Sequence, residues 1–117
     1  MTYYQGDDIE FSIDIKQFAA GDIEDWSAFP YLYVYFYTHP SYIAKFDRYG
    51  AEGYTKLTLS NDLKTYSGEI SHEQTLQMQG VLRMDVRVVD ENDSISTRSI
   101  DTGIRILPTP LKHEKGA

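Results

Sequence analysis

The sequence predicts an all-β domain, a β-sandwich of about seven strands with one short helical turn between two of them. Apolar and polar residues alternate over residues 8–15 and again over residues 81–89. A period of two is typical of a strand with one buried face. Tyrosine, which has a high β propensity, occurs ten times. Turn residues separate the other short apolar runs, and this spacing favours a sandwich over a helical fold.

The first half of the chain predicts two of the strands. Residues 8–15 place Ile9, Phe11, Ile13 and Ile15 on one face. Pro30 precedes the second strand, because proline cannot donate to the ladder of a central strand. The inner row of the second strand is Leu32, Val34 and Phe36, and its outer row is Tyr31, Tyr33, Tyr35 and Tyr37. With both faces apolar or aromatic, this strand is expected at the centre of its sheet.

Three shorter strands are predicted in the middle of the chain, at residues 42–46, 54–59 and 63–70. Leu57 and Leu59 are expected to point inward from the second of them. Gly68 is expected to weaken or bulge the third, because a glycine inside a strand has no side chain to pack. Trp26 is the one tryptophan, and we expect it to close one end of the core.

A helical turn is predicted after residue 70. Ser71 and Gln74 have the spacing of a capping box, in which each side chain accepts a backbone N–H of the other residue. Leu76 and Met78 are two residues apart, so a longer helix would place them on different faces. Gly80 favours the left-handed conformation that ends helices. One turn is too short for a βαβ crossover of about a dozen residues, so we expect the chain to pass here between facing sheets.

The last strand is predicted at residues 94–107, and its isoleucines conflict in parity. Ile95 has an odd number, whereas Ile100, Ile104 and Ile106 have even ones. A one-residue bulge between Thr97 and Gly103 is expected to reconcile them. We therefore expect the sandwich to span residues 1–107 and a flexible tail to occupy residues 108–117.

Composition excludes several classes of function. The net charge of −7 disfavours nucleic acid and anionic membranes as partners, because phosphate binding needs clustered lysine and arginine. Cysteine is absent, which excludes disulfides and thiolate metal sites. The first residues have neither a basic region nor an apolar run, so no signal peptide is expected.

No motif indicates catalysis. The three histidines, His39, His72 and His113, are not at metal-ligand spacing, and no Gly-x-Ser-x-Gly elbow or phosphate loop occurs. Carboxylates cluster at three turns, but the spacing of a calcium-binding EF-hand is missing, and solvated turns explain these charges more simply. The sequence therefore predicts a protein that is not an enzyme, with no catalytic residue, metal or cofactor.

The outer tyrosine row has three interpretations that the sequence leaves open. The row can bury against a protein partner, since tyrosine is enriched at interfaces. It can stack sugars, as in carbohydrate-binding modules. It can also be covered by a loop of the same chain.

Several segments resemble a pattern in phage virion proteins. The pattern opens on Gly-Asp before an alternating strand (here Gly6-Asp7) and continues with Asp25-Trp26-Ser27. In the middle it has Gly68-Glu69-Ile70-Ser71, then Glu73-Gln74-Thr75, a glycine and a long strand. Over roughly residues 6–107 the chain is similar to the N-terminal domain of baseplate upper proteins of tailed phages and to related small immunoglobulin-like phage domains. Residues 97–104 are similar to short proteins of Bacteroidales phages and prophages.

This resemblance implies an immunoglobulin-like sandwich and a non-enzymatic component of the virion. Baseplate upper proteins continue into a helical linker and an assembly domain, whereas this chain ends after its sandwich, and Val81 stands where the family often has an aromatic residue. The implied role is a head-decoration, head-fibre or tail and baseplate accessory subunit. Its partners would be other virion proteins, including copies of itself. The expected contacts are the tyrosine row and the two terminal segments, residues 1–5 and 108–117. The alternative is a carbohydrate-binding module.

Overall fold

The structure is a computed structural model that describes residues 1–18, 23–90, 92 and 95–109. Its strands are β1 (Thr2–Tyr4), β2 (Ile9–Asp14), β3 (Tyr31–His39), β4 (Tyr42–Asp47), β5 (Thr55–Lys56), β6 (Thr58–Leu59), β7 (Thr65–Ile70), β8 (Gly80–Val89) and β9 (Ile95–Leu107). Two 3-10 turns cover Ile15–Gln17 and Trp26–Ala28, and helix α1 covers His72–Thr75. No helix of the described residues is long and apolar enough to cross a membrane. Most of the predicted tail, residues 110–117, lies outside the described residues.

Two sheets pack face to face, which confirms the predicted all-β sandwich. The large sheet has the order β1-β9-β8-β3-β4-β5, and the small sheet has the order β2-β7-β6. β3 is central in its sheet, as its double-sided apolar pattern predicts. The arrangement resembles that of variable-type immunoglobulin domains, in which extra strands extend one of the two sheets.

The predicted inward rows form the core. Leu82, Met84, Val86 and Val88 of β8 are buried, as are the inner rows of β2 and β3 apart from the partly buried Phe11. Trp26 is fully buried and closes one end of the core, as predicted. Its ring centre lies 5.8 Å from that of Phe29 and 5.5 Å from that of Tyr66. Its Nε1–H donates to the carbonyl oxygen of Lys64 at 3.0 Å, so the one polar group of the side chain is satisfied.

The helical turn connects the two sheets, as the capping pattern predicts. The Ser71 N–H donates to Gln74 Oε1 at 3.0 Å, and the Gln74 N–H donates to Ser71 Oγ at 3.3 Å. Thr75 is buried, and its hydroxyl donates to the Asp7 carbonyl at 2.7 Å. The helix ends before Gly80, which instead begins β8 with a φ of +110°. The turn therefore moves the chain from β7 in the small sheet to β8 in the large one.

Residues 54–59 do not form the single strand that the sequence predicts. β5 pairs with β4 in the large sheet, whereas β6 pairs with β7 in the small sheet. Leu57, between them, is buried, and its N–H donates to the Asp47 carbonyl at 2.8 Å. A strand that changes sheets satisfies its backbone on both sides of the core, and periodicity alone does not reveal the change.

Gly68 does not bulge β7, which was one of the two effects that the sequence predicts for this glycine. The β2–β7 register runs without a shift, and Gly68 lies opposite Phe11. A Cβ atom at Gly68 would lie 2.8 Å from Cζ of Phe11. The ring of Phe11 in turn packs against Phe36 and Phe46, with ring centres 4.5 and 5.0 Å away. The glycine therefore makes room for an aromatic ring at the centre of the sandwich.

Gly68→Ala is expected to lower the free energy of unfolding by about 1–3 kcal/mol, because the new methyl group overpacks against Phe11. Equilibrium denaturation in urea measures this loss. In a Phe11→Leu background the same substitution should cost clearly less, because leucine lacks the ring atoms that the methyl group meets. An equal loss in both backgrounds would contradict the steric explanation.

The irregularity in β9 differs from the predicted one-residue bulge. Val81 pairs with Arg105, but Arg83 pairs with Asp101, so residues 102–104 lie opposite Leu82 alone. Two extra residues preserve the parity of the strand. Ile95 therefore stays on the outer face, 63% exposed, and does not join the core.

The N-terminal segment, residues 1–5, is held by the large sheet. β1 pairs in parallel with β9 at the edge of the large sheet. The N-terminal ammonium of Met1 donates to the Gly103 carbonyl at 3.0 Å. Gln5 is buried, and its side-chain Nε2–H donates to the Met78 carbonyl at 2.9 Å. Residues 1–5 are thus part of the fold.

Candidate binding groove

A groove of about 570 Å³ lies on the outer face of the large sheet. Three of the four tyrosines of the predicted row line it, and two more come from the segment between β4 and β5. These five are Tyr31, Tyr33, Tyr35, Tyr49 and Tyr54. Tyr37, the last member of the row, lies beyond the groove, and its hydroxyl donates to Asp85 Oδ1 at 3.1 Å.

Strand pairing fixes the floor of the groove. Successive side chains of a strand point to opposite faces, so the buried Leu32, Val34 and Phe36 force the tyrosines of β3 outward. Tyr33 lies between Asp47 of β4 and Arg87 of β8. The groove floor is therefore aromatic at its centre and charged at its sides.

The segment after β4 forms one wall, and Asp47 organises it. Asp47 is buried, and its carboxylate accepts the backbone N–H groups of Tyr49 (3.2 Å), Gly50 and Ala51 (3.2 Å). Gly50 has a φ of +71°, a conformation that glycine adopts without strain. The Tyr49 hydroxyl donates to the Pro30 carbonyl at 3.2 Å, and its ring stays 64% exposed. The turn thus places an exposed aromatic ring at the rim of the groove.

Tyr54 packs onto the row from the same segment. Its hydroxyl lies 2.6 Å from that of Tyr35, and its ring centre lies 5.9 Å from that of Tyr33. Nζ of Lys45 lies 5.9 Å from the ring centres of both Tyr35 and Tyr54. The chain thus partly covers Tyr33 and Tyr35, whereas Tyr31 is 51% exposed.

The sequence predicts the floor of this groove but not its wall. Tyr49 lies in a stretch that reads as a polar loop, and Tyr54 lies in a stretch that reads as the start of a strand. The signal that was available is the presence of aromatic residues on both sides of Gly50 and Gly53. Only the fold shows that this turn bends back over β3.

The hydrogen bond to Tyr35, followed by burial, raises the pKa of Tyr54 to about 12. The neutral phenol is therefore the form that the folded protein favours. A raised pKa contributes stability below the unfolded pKa of about 10, and this contribution is lost as the pH rises through the folded pKa. The expected window for this loss is from about pH 10 to about pH 12.

We expect the Tyr54→Phe variant to lack a phenol that titrates near pH 12. Absorbance titration of the phenolates measures this step. Tyr4→Phe is the control, since Tyr4 is 51% exposed on the edge strand β1 and lies outside the groove. If the titration step near pH 12 were still present in Tyr54→Phe, the Tyr35–Tyr54 hydrogen bond would not be its cause.

The polar side chains that line the groove are two aspartates, two arginines, one threonine and the five tyrosines. Its two carboxylates, Asp47 and Asp85, already accept hydrogen bonds from the protein itself. The structure brings neither His39 nor His72 into the groove, and His113 lies outside the described residues. In the described part of the chain, no three histidine, aspartate or glutamate side chains lie close enough to hold a metal ion. What the groove offers a ligand is aromatic faces, phenol hydroxyls and arginine.

No protein-family model matches this chain, and neither a curated protein nor a solved structure matches it at a significant level.

Proposed function

We propose that this protein is a non-enzymatic structural subunit of a phage virion that acts by binding other virion proteins. Its role would be that of a head-decoration, head-fibre or tail and baseplate accessory subunit. One observation carries the binding role: an open groove lined by five tyrosines and two arginines, Arg48 and Arg87. The assignment to a virion rests on the resemblance of the sequence to small immunoglobulin-like phage domains.

The composition of the groove supports a protein partner. Tyrosine and arginine are enriched in interfaces, and both are frequent among the residues that dominate binding energy. A tyrosine ring gives a large contact area and has few rotatable bonds, so fixing it costs little conformational entropy. Tyr31 and Tyr49 are the most exposed rings of the groove, and we expect them to be its main anchors.

Incorporation into virions tests this proposal. The wild-type chain is expected in virions purified from the phage or induced prophage that encodes it, where mass spectrometry detects it. A Tyr31→Ala/Tyr49→Ala variant, supplied in place of the wild type, should be incorporated at about one tenth of the wild-type level or less, because it lacks both exposed anchors.

Leu63→Ala is the control, because Leu63 is 41% exposed but lies in the turn before β7, outside the groove and outside the terminal segments. Absence of the wild-type chain from virions would refute the virion role. Equal incorporation of the groove variant and the control would refute the role of the groove.

Carbohydrate binding is the second candidate, and the concave shape of the groove favours it. Several tyrosine faces side by side can stack on sugar rings, while phenol and guanidinium groups hydrogen-bond to hydroxyls. This function predicts weak binding on a glycan array that disappears in the Tyr31→Ala/Tyr49→Ala variant. Binding of a glycan by a chain that virions do not contain would favour this second candidate.

A further inference from the structure

The outer face of the large sheet, which carries Tyr31, Tyr33, Tyr35 and Tyr37, is called the tyrosine face. We propose that the tyrosine face of one copy of this chain docks onto the outer face of the small sheet of a second copy. This inference rests on the proposed function as an assembly protein, and it names one partner and both contact surfaces. It follows from an unequal distribution of charge between the two outer faces of the sandwich.

The tyrosine face is cationic although the chain is acidic. The outward positions beside the tyrosine row carry four bases and two exposed or partly exposed acids. The bases are Lys45, Arg83, Arg87 and Arg105, and the acids are Asp85 and Asp101. Asp47, also on this side, is buried and binds the backbone of its own turn. With Asp47 counted, these positions still carry one more base than acid, in contrast with the net charge of −7 of the whole chain.

The outer face of the small sheet is acidic. Its outward positions on β2 and β7 include Glu10, Asp14 and Glu69 but no base, and Lys56 lies at its border. Glu10 lies directly opposite Glu69. Like charges in directly opposed positions destabilise a sheet, and within the described part of the chain neither glutamate forms an ion pair. A cationic partner surface would relieve this repulsion.

The two faces belong to opposite layers of the sandwich, so they cannot meet within one copy. Contact between unlike faces of two copies is heterologous, and a heterologous contact repeats into rings or rows. Both surfaces are the outer sides of sheets. Electrostatic complementarity of this kind fixes orientation and partner choice, and the tyrosine rings supply the apolar contact area.

Sedimentation velocity of the purified chain tests this inference. Reversible, concentration-dependent association is expected at about 0.01 M salt, and it should weaken strongly at about 1 M salt, where the Debye length falls to about 3 Å. A wild-type chain that stays monomeric at the highest measurable concentration in low salt would overturn the proposal.

Charge reversal identifies the two faces. Arg87→Glu on the tyrosine face and Glu69→Lys on the small sheet should each weaken association about tenfold or more. A mixture of the two variants should regain association, because oppositely charged faces are again available. Glu69→Lys also turns the Glu10–Glu69 pair into an attractive one, so the monomer should keep or gain stability.

Glu24→Lys is the control, because Glu24 is an exposed acid in the connection between β2 and β3 and not on either sheet, so it should leave association unchanged. A contact between two tyrosine faces would leave Glu69→Lys without effect, and that result would overturn the head-to-tail arrangement. The proposed function has its own test, because the presence of the wild-type chain in purified virions is measured independently of its self-association in solution. If the chain does not self-associate but is still incorporated into virions, the proposed function stands and only the second copy is ruled out as the partner.

Discussion

Replacement of Trp26 by alanine is expected to lower the free energy of unfolding by about 3–5 kcal/mol, the usual cost of removing a large buried aromatic side chain. Trp26 is fully buried, and its ring packs among those of Phe18, Phe29 and Tyr66. These groups come from separate segments of the chain, so a cavity here loosens several connections together. Urea denaturation followed by far-ultraviolet circular dichroism measures the loss, because the variant has no tryptophan to report by fluorescence.

Trp26→Phe separates packing from hydrogen bonding. It keeps a ring in the core but leaves the Lys64 carbonyl without the indole N–H that donates to it at 3.0 Å. The expected loss is about 1–3 kcal/mol, smaller than that of the alanine variant. Ile95→Ala, at a position 63% exposed, should change stability by less than about 0.5 kcal/mol. If Trp26→Ala lost as little stability as Ile95→Ala, that result would contradict the assignment of Trp26 to the core.

The sequence predicts most of the sandwich because a half-buried strand must alternate. Shifting a strand by one residue would place its whole apolar row in water, so the patterns in β2, β3 and β8 locate these strands and their inward faces. β1 carries no such pattern, because Thr2–Tyr4 is an edge strand that hydrogen bonds to β9 hold in place. Pairing between the two ends of a chain leaves no local signal.

The errors in β5–β6 and β9 have a common cause. Parity along a strand is informative only while the strand stays in one sheet and adds one residue per pairing. At Leu57 the chain passes from the large sheet to the small one. In β9, the three residues 102–104 lie opposite Leu82 alone, which is two more than regular pairing has. An even insertion leaves the parity unchanged, so Ile95 remains outside. A count of apolar residues cannot distinguish that outcome from a one-residue bulge.

The groove was predictable only in part, for the same physical reason. Its floor follows from the alternation of β3, which requires the tyrosines to point away from the buried row. Its wall depends on Asp47, whose polar side chain is buried because it binds backbone N–H groups of its own turn. A sequence pattern classifies an aspartate before a glycine as a turn residue, but it does not say against which surface the turn packs.

Asp47→Ala is therefore expected to affect both stability and the groove. The substitution removes the acceptor of three backbone N–H groups, and we expect it to lower the free energy of unfolding by about 2–3 kcal/mol. Without these bonds the turn no longer fixes Tyr49 at the rim or Tyr54 above Tyr35. The phenol that titrates near pH 12 should then disappear, as in Tyr54→Phe, and incorporation into virions should fall, as in Tyr31→Ala/Tyr49→Ala.

Two variants separate these effects. Asp47→Asn keeps one acceptor oxygen in place, so it should lose less stability than the alanine variant and keep the late-titrating phenol. Asp62→Ala removes a comparable turn aspartate, which accepts the Ser60 hydroxyl at 2.6 Å and the Lys64 N–H at 3.2 Å outside the groove. It should weaken its own turn and leave the groove unchanged. Asp47→Ala could lose stability but keep both the phenol that titrates near pH 12 and normal incorporation. That result would show that β3 alone carries the binding surface and that the wall built by Asp47 serves only the fold.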